Sequence, residues 1–328
     1  SRLSVFTGLR YDNVAIEIND VSLERPELNG EHDFNRASFH LGFSYELIRD
    51  TYFFSNYNEA SRSPTPIELS CNEGTFQLAQ TIASRTGDDP DDIDFECRLP
   101  NAFVADPPLD QIVSKSFEIG LRSPTRLGGI DLSFYSSAVN NDIIFQSTGR
   151  GTGLFGNVEK TKRQGWELAK GFKGRYGSLL FSYAYTEATF ESTLNILSPN
   201  HPFSDSSGEI LVSKGDLMPG IPKHKFLGSW SFTIGDQSFF RFQGQYSSGS
   251  VLRGDESNQL SKTDSYFKLD IIYRVQVSKN ISAYVKAANV LDRNYENFGI
   301  VGEDPSRLLP NLNPKSSIFL SPGEPRGV

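Results

Sequence analysis

The 328-residue chain lacks any run of about 18 apolar residues, the length a membrane-crossing helix needs. It also has little basic charge. With 32 Lys and Arg against 40 Asp and Glu the net charge is -8, which argues against nucleic acid, because neutralising phosphates takes a basic surface. Four His and two Cys are too few and too scattered for a zinc site. Neither G-x-S-x-G nor H-E-x-x-H occurs, and no carboxylate spacing selects a pair, so no catalytic residue, metal ligand or cofactor is assigned and no enzyme activity is expected. The chain begins at Ser1 without Met or a signal-peptide pattern, which reads as truncation or processing.

What the chain has is aromatics, 25 Phe and 13 Tyr, and a pervasive period of two. Phe39, Leu41, Phe43, Tyr45 and Leu47 alternate with Ser38, His40, Gly42, Ser44 and Glu46. Phe267, Leu269, Ile271, Tyr273 and Val275 alternate with Lys268, Asp270, Arg274 and Gln276. The same pattern recurs at 3–11, 117–122, 130–135, 179–185, 226–234 and 281–286, giving about eleven strands. Helical periodicity appears only around 75–83. The expected fold is all-β.

Connection lengths alternate too. Short ones at 48–50, 123–128, 174–176, 235–237 and 278–280 interleave with long ones at 19–33, 62–113, 146–156, 190–220, 251–263 and 297–322. In an up-and-down barrel every second connection lies on the same rim, and membrane barrels have short turns on one rim and long loops on the other. The polar positions carry Arg10, Glu118, Arg122, Asp131, Lys268, Asp270, Arg274 and Lys286. A dry core would reject that set, whereas a wide lumen tolerates it. A sheet in lipid must close, and bacterial single-chain barrels use an even strand number, so eleven strands imply a fragment with partners on both sides.

Cys71 and Cys97 read most simply as a disulfide closing a loop segment, in an oxidising compartment. The carboxylates of Asp88–Asp94 and Glu96 lack an EF-hand spacing and fit a solvated loop with a Pro-started turn better than a calcium site. Gly151–Gly156 fits G-x-G-x-x-G but opens a strand, so it reads as a loop tip rather than a dinucleotide site. Arg253-Gly-Asp255 reads as a turn. Trp166, Trp230, Tyr266 and Tyr273 suit either interfacial girdles or ordinary interstrand packing.

Specific stretches resemble TonB-dependent outer-membrane receptors. They are Asn56-Tyr-Asn-Glu-Ala-Ser-Arg-Ser-Pro64, Cys97-Arg-Leu-Pro-Asn-Ala-Phe-Val-Ala-Asp-Pro-Pro108, Phe117-Glu-Ile-Gly-Leu-Arg122, Asn157-Val158 with Arg163-Gln-Gly-Trp-Glu-Leu168, Pro219-Gly-Ile-Pro-Lys-His224 and Ala288-Asn-Val-Leu-Asp-Arg-Asn-Tyr295. The resemblance spans nearly the whole chain, in order. It implies an antiparallel up-and-down barrel of 22 strands in the bacterial outer membrane, of which residues 1–328 supply the C-terminal half, with a large extracellular loop at 62–113. The family's plug, TonB box and final aromatic-ended strand are absent from this chain. The implied partners are the TonB–ExbB–ExbD energy complex, outer-membrane lipid and a scarce ligand such as a ferric siderophore. The loop residues to watch for ligand contact are Arg62, Arg98, Asn101, Arg253 and Asp255. A porin-like channel, a barrel enzyme and a soluble β-rich binding module are the alternatives.

Overall fold

The computed structural model describes residues 2–19, 30–70, 109–125, 128–149, 152–303 and 317–327. The elements are β1 (Leu3–Ile18), β2 (Gly30–Ile48), β3 (Thr51–Arg62), α1 (Pro66–Ser70), β4 (Ile112–Thr125), β5 (Gly128–Gly149), β6 (Thr152–Gly174), β7 (Gly177–Phe190), β8 (Leu194–Leu197), β9 (Glu209–Val212), β10 (His224–Ile234), β11 (Ser238–Ser247), β12 (Tyr266–Ser278), β13 (Ile281–Ala287), β14 (Glu296–Val301) and β15 (Ile318–Pro322). Eleven of them form one antiparallel sheet in the order β1-β2-β3-β4-β5-β6-β7-β10-β11-β12-β13. Among the described residues the chain is thus an up-and-down β-sheet with a single helical turn.

The register explains the alternation. One cross-strand row runs Leu3, Tyr45, Phe53, Leu121, Leu132, Leu168, Tyr183, Phe226, Tyr246 and Phe267, apolar or aromatic at every one of ten strands. The row one residue away runs Ser4, Ser44, Phe54, Gly120, Ser133, Glu167, Ala184, Lys225 and Ser247. A one-residue slip anywhere would exchange these faces, so each pairing is specified by its neighbours. On the apolar face Leu9, Leu41, Phe117, Phe134, Leu179 and Trp230 are exposed. Contiguous exposed apolar area of this extent marks a surface meant for another phase or partner.

Rings pack across strands on this face. Trp166 lies 4.7 Å from Tyr183, and Trp230 lies 5.9 Å from Phe242. Tyr273 packs 4.7 Å from Phe240 on the same face. Tyr266 does not belong there. It pairs with Ser247 on the polar face and stacks on Tyr295 at 4.1 Å.

All the short connections described lie on one rim. Ile48 pairs with Thr51, Gly174 with Gly177, Ile234 with Ser238 and Ser278 with Ile281. Gly177 holds φ at 109°, and a Cβ there would stand 2.2 Å from the Ser231 carbonyl, so that turn requires glycine. The opposite rim carries the long connections.

Three of those were expected to be loops and are not. At 146–156, β5 and β6 continue to Gly149 and Thr152 as a ribbon 22 and 23 residues long, about 70 Å at ~3.3 Å per residue. That far exceeds the ~25 Å apolar band typical of outer-membrane barrels. Thr152–Gly156 is therefore strand, not a loop tip. The 190–220 connection contains the hairpin β8–β9. The 297–322 connection contains β15 and nearly all of β14, which pair with each other. Positive φ at Asn289 (46°) and Asp292 (51°) breaks β13 from β14, and Ala288 and Gly327 exchange backbone hydrogen bonds below that break. The helical periodicity at 75–83 lies outside the described residues.

Candidate functional site

Two regions face the polar side of the sheet: the wall itself and the structured loops above it. On the wall, Glu118, Arg122, Asp131, Glu167, Lys225 and Gln243 line a cavity of about 700 Å³. Their side chains come from β4, β5, β6, β10 and β11, all at polar positions of the alternation. Arg122 donates from Nε to Asp131 Oδ2 at 2.6 Å. Higher up, Arg163 and Thr161 both donate to Asp142 Oδ2, at 3.0 and 2.7 Å. Asn141 makes this possible: its φ of 54° inverts the alternation, so Asp142 joins the face of Thr161.

Beyond Asn141 the β5–β6 ribbon is covered on both faces. Val158, Ala188 and Phe190 pack with Ile196, Ile210 and Val212 of β8–β9 and with Met218. Ile143 and Phe155 pack instead against Leu69 of α1, Leu109 and Ile18. Two buried apolar clusters thus hold the outer-rim segments in place without a conventional interior, and this explains why a predicted loop is strand.

The connection 191–223 and the loop 248–265 are locked together by buried polar contacts. Ser198 donates to the Gly254 carbonyl at 2.7 Å. Asn258 accepts from Leu217 N–H and donates to its carbonyl, both at 2.9 Å. His201 and Asp255 side chains are 0% and 1% exposed, 3.0 Å apart. Phe203 N–H donates to His201 Nδ1, which leaves Nε2 to donate to Asp255 Oδ1. Asp255 also accepts from the N–H groups of Gln259 (2.9 Å) and Leu260 (3.0 Å). Its carboxylate therefore organises from within a segment expected to be a turn with Asp255 placed for ligand contact.

The other residues singled out in the sequence are placed as follows. Arg62 closes a two-point contact on Glu68, at 2.6 and 2.8 Å, while Thr65 N–H and hydroxyl donate to the same carboxylate at 2.8 and 2.9 Å. Burial opposes ionisation of Glu68, but these donors outweigh it and hold the carboxyl below its usual range. Arg253 is exposed, with its guanidinium 5.1 Å from the Phe145 ring centre. Cys71, Cys97, Arg98, Asn101 and the acidic stretch 88–96 lie outside the described residues. Among the described residues no group of three His, Cys, Asp or Glu is placed to hold a metal.

Sequence reasoning missed α1, His201 and Glu256. Thr65-Pro66-Ile67-Glu68 is a capping box with Pro at the first helical position, a local signal that was available. No local signal marks His201, whose partner is 54 residues away.

Glu256 accepts from Gly254 N–H at 3.1 Å through one oxygen, while its other buried oxygen has no partner among the described residues. Burial pushes its carboxyl above the usual range, and the Asp255 charge adds to that. The folded loop thus binds a proton that the unfolded loop releases, so its stability falls as pH rises from the ordinary carboxylate value through the raised one. Glu256→Gln is expected to flatten this dependence and to slow amide exchange of 253–260 at neutral pH. Equal pH dependence of exchange in both proteins would show that Glu256 is not the titrating group.

The chain matches the family described as "TonB dependent receptor-like, beta-barrel" over residues 1–290. Among solved structures, a copper transporter, OprC, superposes with a TM-score of 0.67 at 16% identity, over 99% of this chain and 43% of that one. The ferric yersiniabactin uptake receptor FyuA from Yersinia pestis gives 0.65 at 14%, covering 99% and 42%. The siderophore receptor PiuA from Acinetobacter baumannii gives 0.65 at 15%, covering 99% and 40%. At such identities the likeness is one of fold, and the chain spans about two fifths of the length of these proteins. The family match rests on the sequence itself and takes in β1 through β13: the chain belongs to the TonB-dependent receptor-like β-barrel family.

Proposed function

We propose that this chain forms the C-terminal half of the wall, and several capture loops, of a bacterial outer-membrane receptor. It takes up a scarce ligand, a ferric siderophore or similar iron complex, with energy from TonB–ExbB–ExbD. The observation that carries the reading is the row from Leu3 to Phe267, apolar or aromatic at each of ten strands, backed by a polar face and with every described long connection on one rim. Lipid suits the first face and a plugged or watery lumen the second. FyuA and PiuA, whose folds are similar, are a ferric yersiniabactin uptake receptor and a siderophore receptor, which supports the ligand class. The reading assigns no covalent chemistry to the chain. The Cys71–Cys97 disulfide belongs to it as a staple of the 62–113 connection, worth about 3–4 kcal/mol on the chain-entropy account.

The test is iron-limited growth of a strain whose only uptake receptor is the full-length protein containing this chain, fed ferric siderophores. Uptake should need an intact TonB system. Flux that persists without TonB and shows no saturation would replace the receptor by a porin-like channel.

A further inference from the structure

The seam between β2 and β3 opens partway up. β2 pairs with β3 only as far as His40↔Asn58, yet β1–β2 pairing continues to Ile18↔Gly30 and β3–β4 pairing to Arg62↔Ile112. Above His40 the sheet is therefore a fork, with 30–39 on one prong and 59–62 on the other. The β7–β10 seam shows that such a gap is not the default. There Asp216, Met218 and Lys223 carry the backbone hydrogen bonding onward to Phe190, Ala188 and Thr186.

A cavity of about 330 Å³ sits in the crotch, lined by Arg10, Asp12, Ser38, His40, Asn58 and Ser61 among others. Ser38 is 5% exposed, and its Oγ has no partner among the described residues. Nor have the buried Ser61 Oγ across the cavity, or Arg36 Nε and His32 Nε2 farther along the β2 prong. Buried polar groups are paired in folded proteins, so several unpaired atoms along one opening leave hydrogen-bonding capacity there for water or a ligand.

The unspent groups decide the chemistry. Both nearby carboxylates are committed: Asp12 to Arg10 at 2.7 Å, and Glu59 to the Tyr57 hydroxyl at 2.7 Å and Lys115 at 3.6 Å. The Ser38 and Ser61 hydroxyls on the cavity wall remain as donors, with the Nε–H of Arg36, whose charge also acts on Glu59, beyond the wall on the same prong. We infer that the β2–β3 fork is a binding site for a small oxyanion, a carboxylate or phosphate group presented from the long-loop rim. Its volume lies at the low end for small-molecule sites, and guanidinium with hydroxyls is the set that grips such groups. The inference deepens the receptor reading, on which its place outside the membrane rests, by naming a chemistry the captured ligand carries.

The probe is inorganic phosphate, titrated by calorimetry into the full-length receptor in detergent. Ser38→Ala/Arg36→Gln is expected to weaken binding about tenfold or more, as the loss of one charge-assisted hydrogen bond would. Arg49→Gln, at the far rim of the same hairpin and 95% exposed, should bind as the wild type does. Phosphate should also slow exchange of wild-type backbone amides at 30–39 and 59–62, a reading that does not depend on the variant folding. Affinity unchanged in the double variant, or no saturable binding in the wild type, overturns the site. Prong amides fully protected before phosphate is added overturn it as well, since another segment of the receptor then fills the fork. Siderophore uptake that survives the loss of phosphate binding would separate this failure from failure of the receptor reading.

Discussion

On the receptor reading proposed above, Leu132→Arg is expected to destabilise the sheet by about 2–4 kcal/mol, the cost of arginine at the lipid-facing centre of a barrel. Leu132 is the middle of the outward trio Ile130, Leu132 and Phe134, and it pairs with Leu121 on one side and Leu168 on the other. An arginine there has no short path to water, because the outward neighbours along β5 are apolar in both directions. The matched control is Gln243→Arg. Gln243 faces the cavity that also holds Glu118, Asp131 and Glu167, so an added cation meets carboxylates and water. Its effect should stay within about 0.5 kcal/mol. Denaturant unfolding of the full-length protein in lipid vesicles measures both. Equal, small effects at the two sites would mean that the apolar face does not sit in hydrocarbon.

Asp255→Ala should release the outer-rim loops without unfolding the sheet. The carboxylate is buried beside His201 and accepts two backbone N–H groups of its own loop. Removing it leaves the buried His201 ring and those two donors without their acceptor, which costs about 3–5 kcal/mol when a buried pair loses one partner. The loss is local, because the loops owe their place to these contacts and to the cluster of Val158, Phe190, Ile210 and Val212, while the strands below owe theirs to cross-strand bonds. Hydrogen exchange should therefore rise across 191–223 and 248–265 and stay unchanged in β10–β13. Combining Asp255→Ala with His201→Ala should add little, since both act on one contact. Full additivity, or unaltered loop protection in Asp255→Ala, would rule out the latch.

The strands were legible because alternation is a local pattern enforced by two solvents, one on each face. Phe267 to Gln276 could be read residue by residue, and Tyr266, one position before Phe267, falls on the opposite face as that alternation requires. The loop rim was far less legible. Its strands β8, β9, β14 and β15 are four to six residues long, too short for a period to stand out. The 146–156 ribbon is ordered by Ile196 and Leu69, which come from opposite sides and from distant parts of the chain.

By itself, then, the sequence determined the all-β class, the number of strands in the main sheet, the two faces, the rim on which the long connections lie and the family. Each depends on interactions between residues close in sequence or between adjacent hairpin strands. Only the tertiary structure decided what those connections do. It spent Asp255 on His201 and Arg62 on Glu68, and it opened the sheet above His40. The physical reason is that a buried hydrogen bond or ion pair takes its energy from exclusion of water, and water is excluded only where segments far apart in the chain meet.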